Sequence, residues 1–440
     1  VHPVDTANRP ERALLVGLAL SDRERWEKNE SLDELAQLAA TAGAEVVEKI
    51  LQTRRRPDPA YLIGKGKVQA LARAAAEISI DLLIFDQELS PAQERNLEEE
   101  TKTRVIDRSE LIMDIFAIHA RTKAAKIQVE LAQLNYQLPR LVGRGIELSR
   151  LGGGIGTRGP GETKLEVDRR RIRSRIAHLK KEIESLETSR SVQRHGRADA
   201  YRITLAGYTN AGKSTLMNAL SSADVTVADQ LFATLDATTR QVDFGTRRDI
   251  LLTDTVGFIR NLPHHLVASF HATLEETIEA DLILHVVDVS HPAYRQQMTT
   301  VEQVLTELGC GEKPKLVVFN KIDQLEDEGP LDMLHSRYPV SAAVSALAGV
   351  GIETLKARIV ALAEEMDREE VLFLPLDATK LLAELHRDAK VLEESFGNSR
   401  IQVRVRMDRA GLRRVQRQIA EAWARSNPEA PASMPDEPPA

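Results

Sequence analysis

Apolar and polar positions change their period several times along the chain, and each change marks a different kind of element. The runs Ala13 to Leu20 (ALLVGLAL) and Asp81 to Asp86 (DLLIFD) are short, bounded and uniformly apolar, as buried strands are. Between them, Ser31 to about Thr41 and the stretch from Lys67 carry helical spacing, and Glu45 to Leu51 reads as a further strand. Alternating strands and helices predict a small α/β domain over residues 1–108.

From about Ser109 the spacing changes. Leu111, Ile115, Ile118, Thr122, Ala125, Val129, Ala132 and Tyr136 alternate at four and three, a heptad seam. It predicts one helix from Ser109 to Leu138, ~45 Å long at 1.5 Å per residue. A second seam runs through Leu165, Arg169, Ile172, Ile176, Leu179, Ile183 and Leu186, after the glycine-rich stretch LGGGIGTRGPGE (Leu151 to Glu162). Together they predict an antiparallel helical hairpin over residues 109–195, with Thr122 and Arg169 interrupting its apolar seams.

From Tyr201 the order becomes strand, glycine-rich turn, helix, and then four apolar runs: DILLTD (Asp249 to Asp254), LILHVVD (Leu282 to Asp288), KLVVFN (Lys315 to Asn320) and YPVSAAVS (Tyr338 to Ser345). Helical segments separate most of them, which predicts a mainly parallel sheet with helices on both faces over residues 196–367. VLFLPLD, a helix to about Phe396, IQVRVRM and a helix to about Arg425 predict a small C-terminal α/β domain over 368–426. The proline- and acid-rich residues 427–440 are expected to be disordered.

With 440 residues the chain exceeds one ordinary core. It contains no run near the ~18 to 20 apolar residues of a membrane span, and its start, VHPVDTANRP, lacks the marks of a secretory signal. A monomeric cytoplasmic protein is expected. The single cysteine, Cys310, excludes an intrachain disulfide and reads as a small residue beside a loop. The formal charge is −7, yet between Arg140 and Lys181 twelve basic residues face four acidic ones. Arg144, Arg150, Gly152, Gly153, Gly154 and Arg158 are its candidate RNA contacts. A long arm with a basic, glycine-rich tip suits structured RNA, and the absence of aromatic residues there points to shape and phosphate recognition. The competing reading is a solvated helix face.

GYTNAGKST fits the phosphate-loop pattern at Gly207, Gly212, Lys213 and Ser214, between the strand RITLAG and an apolar helix. In such a loop the backbone of Tyr208, Thr209, Asn210, Ala211 and Thr215 wraps phosphates, Lys213 reaches the β- and γ-phosphates, and the Ser214 hydroxyl ligates Mg²⁺. DTVG (Asp254, Thr255, Val256, Gly257) ends an apolar strand, where Asp254 can hold Mg²⁺ through water and the Gly257 N–H can meet the γ-phosphate. NKID (Asn320, Lys321, Ile322, Asp323) ends the next candidate strand. The Asp323 carboxylate can accept from guanine N1–H and N2–H₂, which adenine does not offer. Ser345, Ala346 and Leu347 supply a loop whose backbone can touch guanine O6.

With these motifs in this order the chain resembles the translation-factor-related GTPases, and more narrowly the HflX family. LFATLDATTR (Leu231 to Arg240) looks like that family's first switch, and DTVGFIRNLP and GGGIGTRGPGE are close to its patterns. The resemblance implies that Phe232, Ala233, Thr234, Leu235 and Asp236 border the nucleotide, with Thr234 binding Mg²⁺ and sensing the γ-phosphate. It implies Lys213, Thr234 and Gly257 as catalytic residues and magnesium on Ser214, Thr234 and, through water, Asp254. It implies GTP and GDP as substrate and product, and a stress-response cycle coupled to the large ribosomal subunit, its RNA and the splitting of stalled ribosomes. Ala237 departs from the family, which commonly has proline there. Phe258 stands where many small GTPases carry a water-orienting glutamine, so hydrolysis alone is expected to be slow. Asn210 is open between a K⁺ ligand and a turn residue. His264, His265 and His271 lie near the second switch and read as solvated or capping. GKGK (Gly64 to Lys67) reads equally as a phosphate or ATP site and as a glycine turn. A GTP-gated protein scaffold and an ATP-dependent RNA remodeller are the alternative functions, and NKID speaks against the second.

Overall fold

The computed structural model describes residues 9–150, 164–195, 200–221, 231–232, 234–246, 249–260, 276–325, 329–365, 367–407 and 409–426. Three sheets organise them. The first contains β1 (Arg12–Ala19), β2 (Glu45–Thr53), β3 (Leu82–Phe85) and β4 (Arg104–Asp107), all parallel in the order β2-β1-β3-β4. Alternate residues of β1 and β3 face opposite layers. Leu14, Val16, Leu83 and Phe85 pack with α2 (Lys65–Glu77), whereas Leu15 and Ile84 pack with α1 (Arg25–Thr41) and α4 (Arg108–His119). The sequence reading omits α3 (Pro91–Thr101) and β4. The signal for α3 was present: Ser90 and Gln93 form a capping box with Pro91 at the first helical position.

The helical arm departs from expectation. The single helix read over Ser109 to Leu138 is two, α4 and α5 (Lys123–Arg150), broken between Ala120 and Thr122. Leu111, Ile115, Ala125, Val129, Ala132 and Tyr136 do form a buried seam, but it packs into the globular core, and Ile118 is 63% exposed. A second stripe on α5, Ile127, Leu131 and Leu134, meets Ile176, Leu179 and Ile183 of α6 (Lys164–His195). The pairing is antiparallel, since Lys123 bonds Glu182 (2.6 Å) and Glu130 bonds Arg175 (2.7 Å). A helix between a core and a partner helix needs two apolar stripes, and one heptad seam cannot say which neighbour it serves. Arg140 fixes the root of the arm through Glu94 (2.8 Å) and Asp107 (3.2 Å).

The second sheet has the order β10-β9-β8-β5-β7-β6. It comprises β5 (Tyr201–Gly207), β6 (Thr238–Val242), β7 (Ile250–Asp254), β8 (Leu282–Asp288), β9 (Lys315–Asn320) and β10 (Ser341–Ala343). Every neighbouring pair is parallel except β6 with β7. Helices α7 (Lys213–Ser221), α8 (Tyr294–Glu307), α9 (Gly329–Arg337) and α10 (Ile352–Glu365) accompany it. Strand β6 lies in the segment read as a switch and was not anticipated, because its residues TTRQV are mostly polar and exposed.

The C-terminal elements are β11 (Arg368–Pro375), α11 (Thr379–Asp388), β12 (Lys390–Phe396), β13 (Arg400–Met407) and α12 (Arg409–Ser426), with an antiparallel sheet ordered β11-β13-β12. Here the helix expected to reach Phe396 ends at Asp388. KVLEESF is instead a strand, turned back on β13 at Gly397, whose N–H bonds the Arg400 carbonyl. Its charged residues read as helix surface, and its strand state depends on the partner. Cys310 is buried and free. No helix among the described residues is long and apolar enough to cross a membrane.

His285 of β8 is 1% exposed, and its Nδ1 lies 3.3 Å from Glu302 of α8, which also meets Lys315 at 2.6 Å. The close approach of His285, opposed by burial and helped by Lys315, holds the Glu302 carboxyl down at about 2, below its ordinary 4.5. A depressed carboxyl stabilises the fold above its unfolded pKa and loses that contribution as pH falls through its folded value. Glu302→Gln is therefore expected to lower Tm by about 1–3 °C at pH 7, because half-exposed pairs contribute little. The gap to wild type should narrow as pH falls below about 4.5 in thermal unfolding scans.

Candidate nucleotide-binding site

The site lies at the carboxyl ends of β5, β7 and β9, around a cleft of about 620 Å³. At the end of β5 the chain turns through Asn210 (φ 59°) and Gly212 (φ 87°) into α7. Gly207 and Gly212 are required by close approach: a Cβ would lie 2.3 Å from the Val286 carbonyl oxygen at the first and 2.3 Å from Asn320 Nδ2 at the second. Gly212 also occupies the left-handed region that side chains disfavour. Lys213, 6% exposed, folds back to the carbonyls of Gly207 (3.2 Å) and Tyr208 (2.8 Å). Burial pushes its ammonium down to about 8, against the opposing pull of Asp254.

Three oxygens converge beside Lys213. Ser214 Oγ donates to Asp254 Oδ2 at 2.6 Å, Thr234 Oγ1 reaches the same atom at 3.3 Å, and the two hydroxyls are 2.9 Å apart. Burial raises the Asp254 carboxyl above its usual range, while Lys213 and both hydroxyls pull it down. Its other oxygen, Oδ1, is buried without a hydrogen-bond partner among the described residues. An all-oxygen set around a buried, incompletely satisfied carboxylate fits a small hard cation such as Mg²⁺.

At the opposite end Asn320, 2% exposed, joins two loops: its Nδ2 donates to the Ala211 carbonyl (2.9 Å) and its Oδ1 accepts from the Ala346 N–H (3.0 Å). Lys321, at φ 64°, turns the chain so that Asp323 borders the cleft, and its ammonium meets Asp288 at 2.7 Å. Ser345 is fully buried and receives the Ala348 N–H at 3.1 Å, whereas Leu347 is 82% exposed at the rim. Thr209, Asn210, Thr215, Phe232, Thr255, Gly257, Gln324 and Ala346 complete the lining.

Several sequence candidates support the cleft from behind. Ala211, Leu235, Val256 and Ile322 are buried or half-buried in the packing around it. Tyr208 turns its hydroxyl to Glu34 of α1, and Asp236 turns its carboxylate to Arg121 and Thr122. Phe258 is 2% exposed and contributes only backbone, its N–H donating to Gly207 O and its carbonyl accepting from Thr209 N. Ala233, Gly152, Gly153, Gly154, Arg158, His264, His265, His271 and the tail fall outside the described residues; Arg144 and Arg150 lie on α5, with side chains outside the description. Sequence reasoning missed Asp288, although an acid closing the apolar run LILHVVD, beside Asn320 in register, was the available signal.

Gly257 packs against the phosphate loop, where a Cβ would come within 2.7 Å of Thr209 Cα and 3.1 Å of Lys213 Nζ. Because backbone cannot yield cheaply, Gly257→Ala should displace the second switch from this position. The expected result is a loss of about 10-fold or more in single-turnover hydrolysis with GDP affinity within about threefold of wild type.

A phosphate loop on a parallel sheet, a hydroxyl-carboxylate cation set and an NKID loop define a P-loop GTP-binding protein. Family models for the GTP-binding GTPase N-terminal region, the GTP-binding GTPase middle region and the 50S ribosome-binding GTPase match residues 29–117, 119–197 and 202–321. Proteins named GTPase HflX are similar along most of their length: 46% identical over 91% of this chain and 92% of the Caldanaerobacter subterraneus protein, and 46% over 80% and 82% for Escherichia coli. Among solved structures, a GTP-binding protein from Sulfolobus solfataricus in complex with GDP is 26% identical with a TM-score of 0.43, covering 81% of this chain and 99% of that chain. The chain belongs to the HflX family of GTPases and is a GTP-hydrolysing enzyme.

Proposed function

We propose that this GTPase works on the large ribosomal subunit, and that its GTP cycle controls ribosome association and the splitting of stalled ribosomes. The observation that carries the reading is the layout of the cleft, with the oxygen triangle of Ser214, Thr234 and Asp254 beside Lys213 at one end and Asp323 at the other. That span accommodates a cation-bound triphosphate and a guanine. Ser214 and Thr234, with Asp254 through water, would hold a magnesium ion, which would offset charge on the β- and γ-phosphates. Lys213 supplies a fixed cation to the same oxygens, and the Gly257 N–H fixes the second switch on the γ-phosphate. Water attacks the γ-phosphorus, the bond to the β–γ bridging oxygen breaks, and GDP and phosphate leave.

With the Phe258 side chain in the core, orientation of that water falls to a backbone group, another side chain, a monovalent cation at Asn210 or a partner. The match of residues 202–321 to the 50S ribosome-binding GTPase family and the basic arm support a ribosomal partner. Arg173, Lys180 and Lys181 of α6 are exposed, whereas Arg140, Arg171 and Arg175 are held in pairs with acidic residues of the chain. The remaining charge is assigned to ribosomal RNA, with Arg144, Arg150, Arg158 and Gly152 to Gly154 at the contact. Sedimentation with large subunits under a GTP analogue, GDP and no nucleotide tests this reading; enrichment with the analogue is expected, and equal recovery in all three would sink it.

A further inference from the structure

The segment carrying Thr234 is gripped on both sides, by α4 and by the start of α5. Two residues before it, the Phe232 ring stands edge-on to Phe116 of α4, with centroids 4.7 Å apart and an interplanar angle of 82°. Two residues after it, the Asp236 carboxylate accepts the backbone N–H groups of Arg121 (3.1 Å) and Thr122 (3.0 Å), and also the Thr122 hydroxyl. Thr122 is itself the cap of α5, because its Oγ1 accepts from Ala125 N at 3.1 Å and its carbonyl receives Lys126 N. Asp236 thus adds a second, external acceptor for the exposed N–H groups at the positive end of a 28-residue helix.

We propose that Asp236 is a positioning residue that ties the placement of Thr234 to the seating of the arm helix α5. The connection from Thr234 to Asp236 is two residues long, so Thr234 Oγ1 reaches Ser214 and Asp254 while Asp236 holds the start of α5. Losing either contact loosens the other, and a ligand that tilts the arm moves Thr234 by the same link. Phe232 reinforces the link: its own N–H donates to Thr209 Oγ1 of the phosphate loop at 3.2 Å. A third contact runs alongside, from Tyr208 to Glu34 and on to the buried Arg108 (2.9 Å), but it leaves from the phosphate loop rather than from the switch. The inference rests on the proposed role of Thr234 at the γ-phosphate end of the cleft.

Hydrogen exchange of the full-length chain with GDP or a non-hydrolysable GTP analogue, without ribosomes, tests it. In wild type the amides of Arg121, Thr122 and Ala125 are expected to exchange about 10-fold more slowly with the analogue than with GDP. Asp236→Ala should make the two rates equal and lower kcat about 10-fold with KM for GTP nearly unchanged. Asp236→Asn, which keeps one acceptor oxygen, should recover part of both effects. GDP affinity reports on folding; if Asp236→Ala loses it, Thr122→Ala carries the same exchange comparison from the other side of the contact. A nucleotide-dependent difference that persists in Asp236→Ala, or one absent from wild type, overturns the proposal. Wild-type sedimentation that ignores nucleotide would instead count against the ribosomal reading and leave this link standing.

Discussion

Asp323→Asn is expected to weaken GTP binding by about 10²- to 10⁴-fold, without a matching loss for ATP. Two hydrogen bonds from guanine to a carboxylate are worth roughly 1.5–3 kcal/mol each. Asparagine keeps one acceptor and turns a donor toward a guanine donor, so both are compromised. At 1.4 kcal/mol per tenfold, the combined loss spans that range. The surrounding loop should survive, because Asn320 holds Ala211 and Ala346, and Lys321 holds Asp288, without using Asp323. Titration with fluorescent GTP and ATP analogues checks the outcome. Unchanged GTP affinity would remove Asp323 as the base reader.

The second large effect is at Lys213. Lys213→Ala should lower kcat/KM for GTP by about 10³-fold, since it deletes the fixed charge facing the phosphates in a buried position. The carbonyls of Gly207 and Tyr208 would also lose their donor, so GDP affinity should fall, but less than hydrolysis. Single-turnover hydrolysis beside GDP titration separates the two terms. Activity within tenfold of wild type would mean that another cation holds the γ-phosphate.

The parts of the fold legible in the sequence are those whose signal is local. The apolar runs of β1, β3, β5, β7, β8 and β9 each carry their own burial pattern, and GYTNAGKST carries its glycines for steric reasons visible at Gly207 and Gly212. What stayed hidden depends on a partner. β6 and β12 are polar strands made by their neighbours' edges, and the break between α4 and α5 comes where Thr122 caps a helix and Asp236, far away in sequence, supports it. Six of the arm's eight seam residues are buried as read, but in the core and not against the partner helix, because a core and a partner helix ask for the same residue types. Asp236 shows the same limit at the site: motif position put it beside the nucleotide, and its carboxylate points to the arm.

Phe258 keeps its side chain in the core, and the proposed ribosomal partner is the candidate that completes the site for hydrolysis. The most direct measurement is the steady-state hydrolysis rate for GTP and for ATP, with large ribosomal subunits added across a range of concentrations. A slow basal GTP rate is expected to rise and saturate with added subunits, by about 10-fold or more, while ATP hydrolysis stays near background. A GTP rate indifferent to subunits, or an equal response with ATP, would contradict the proposed function.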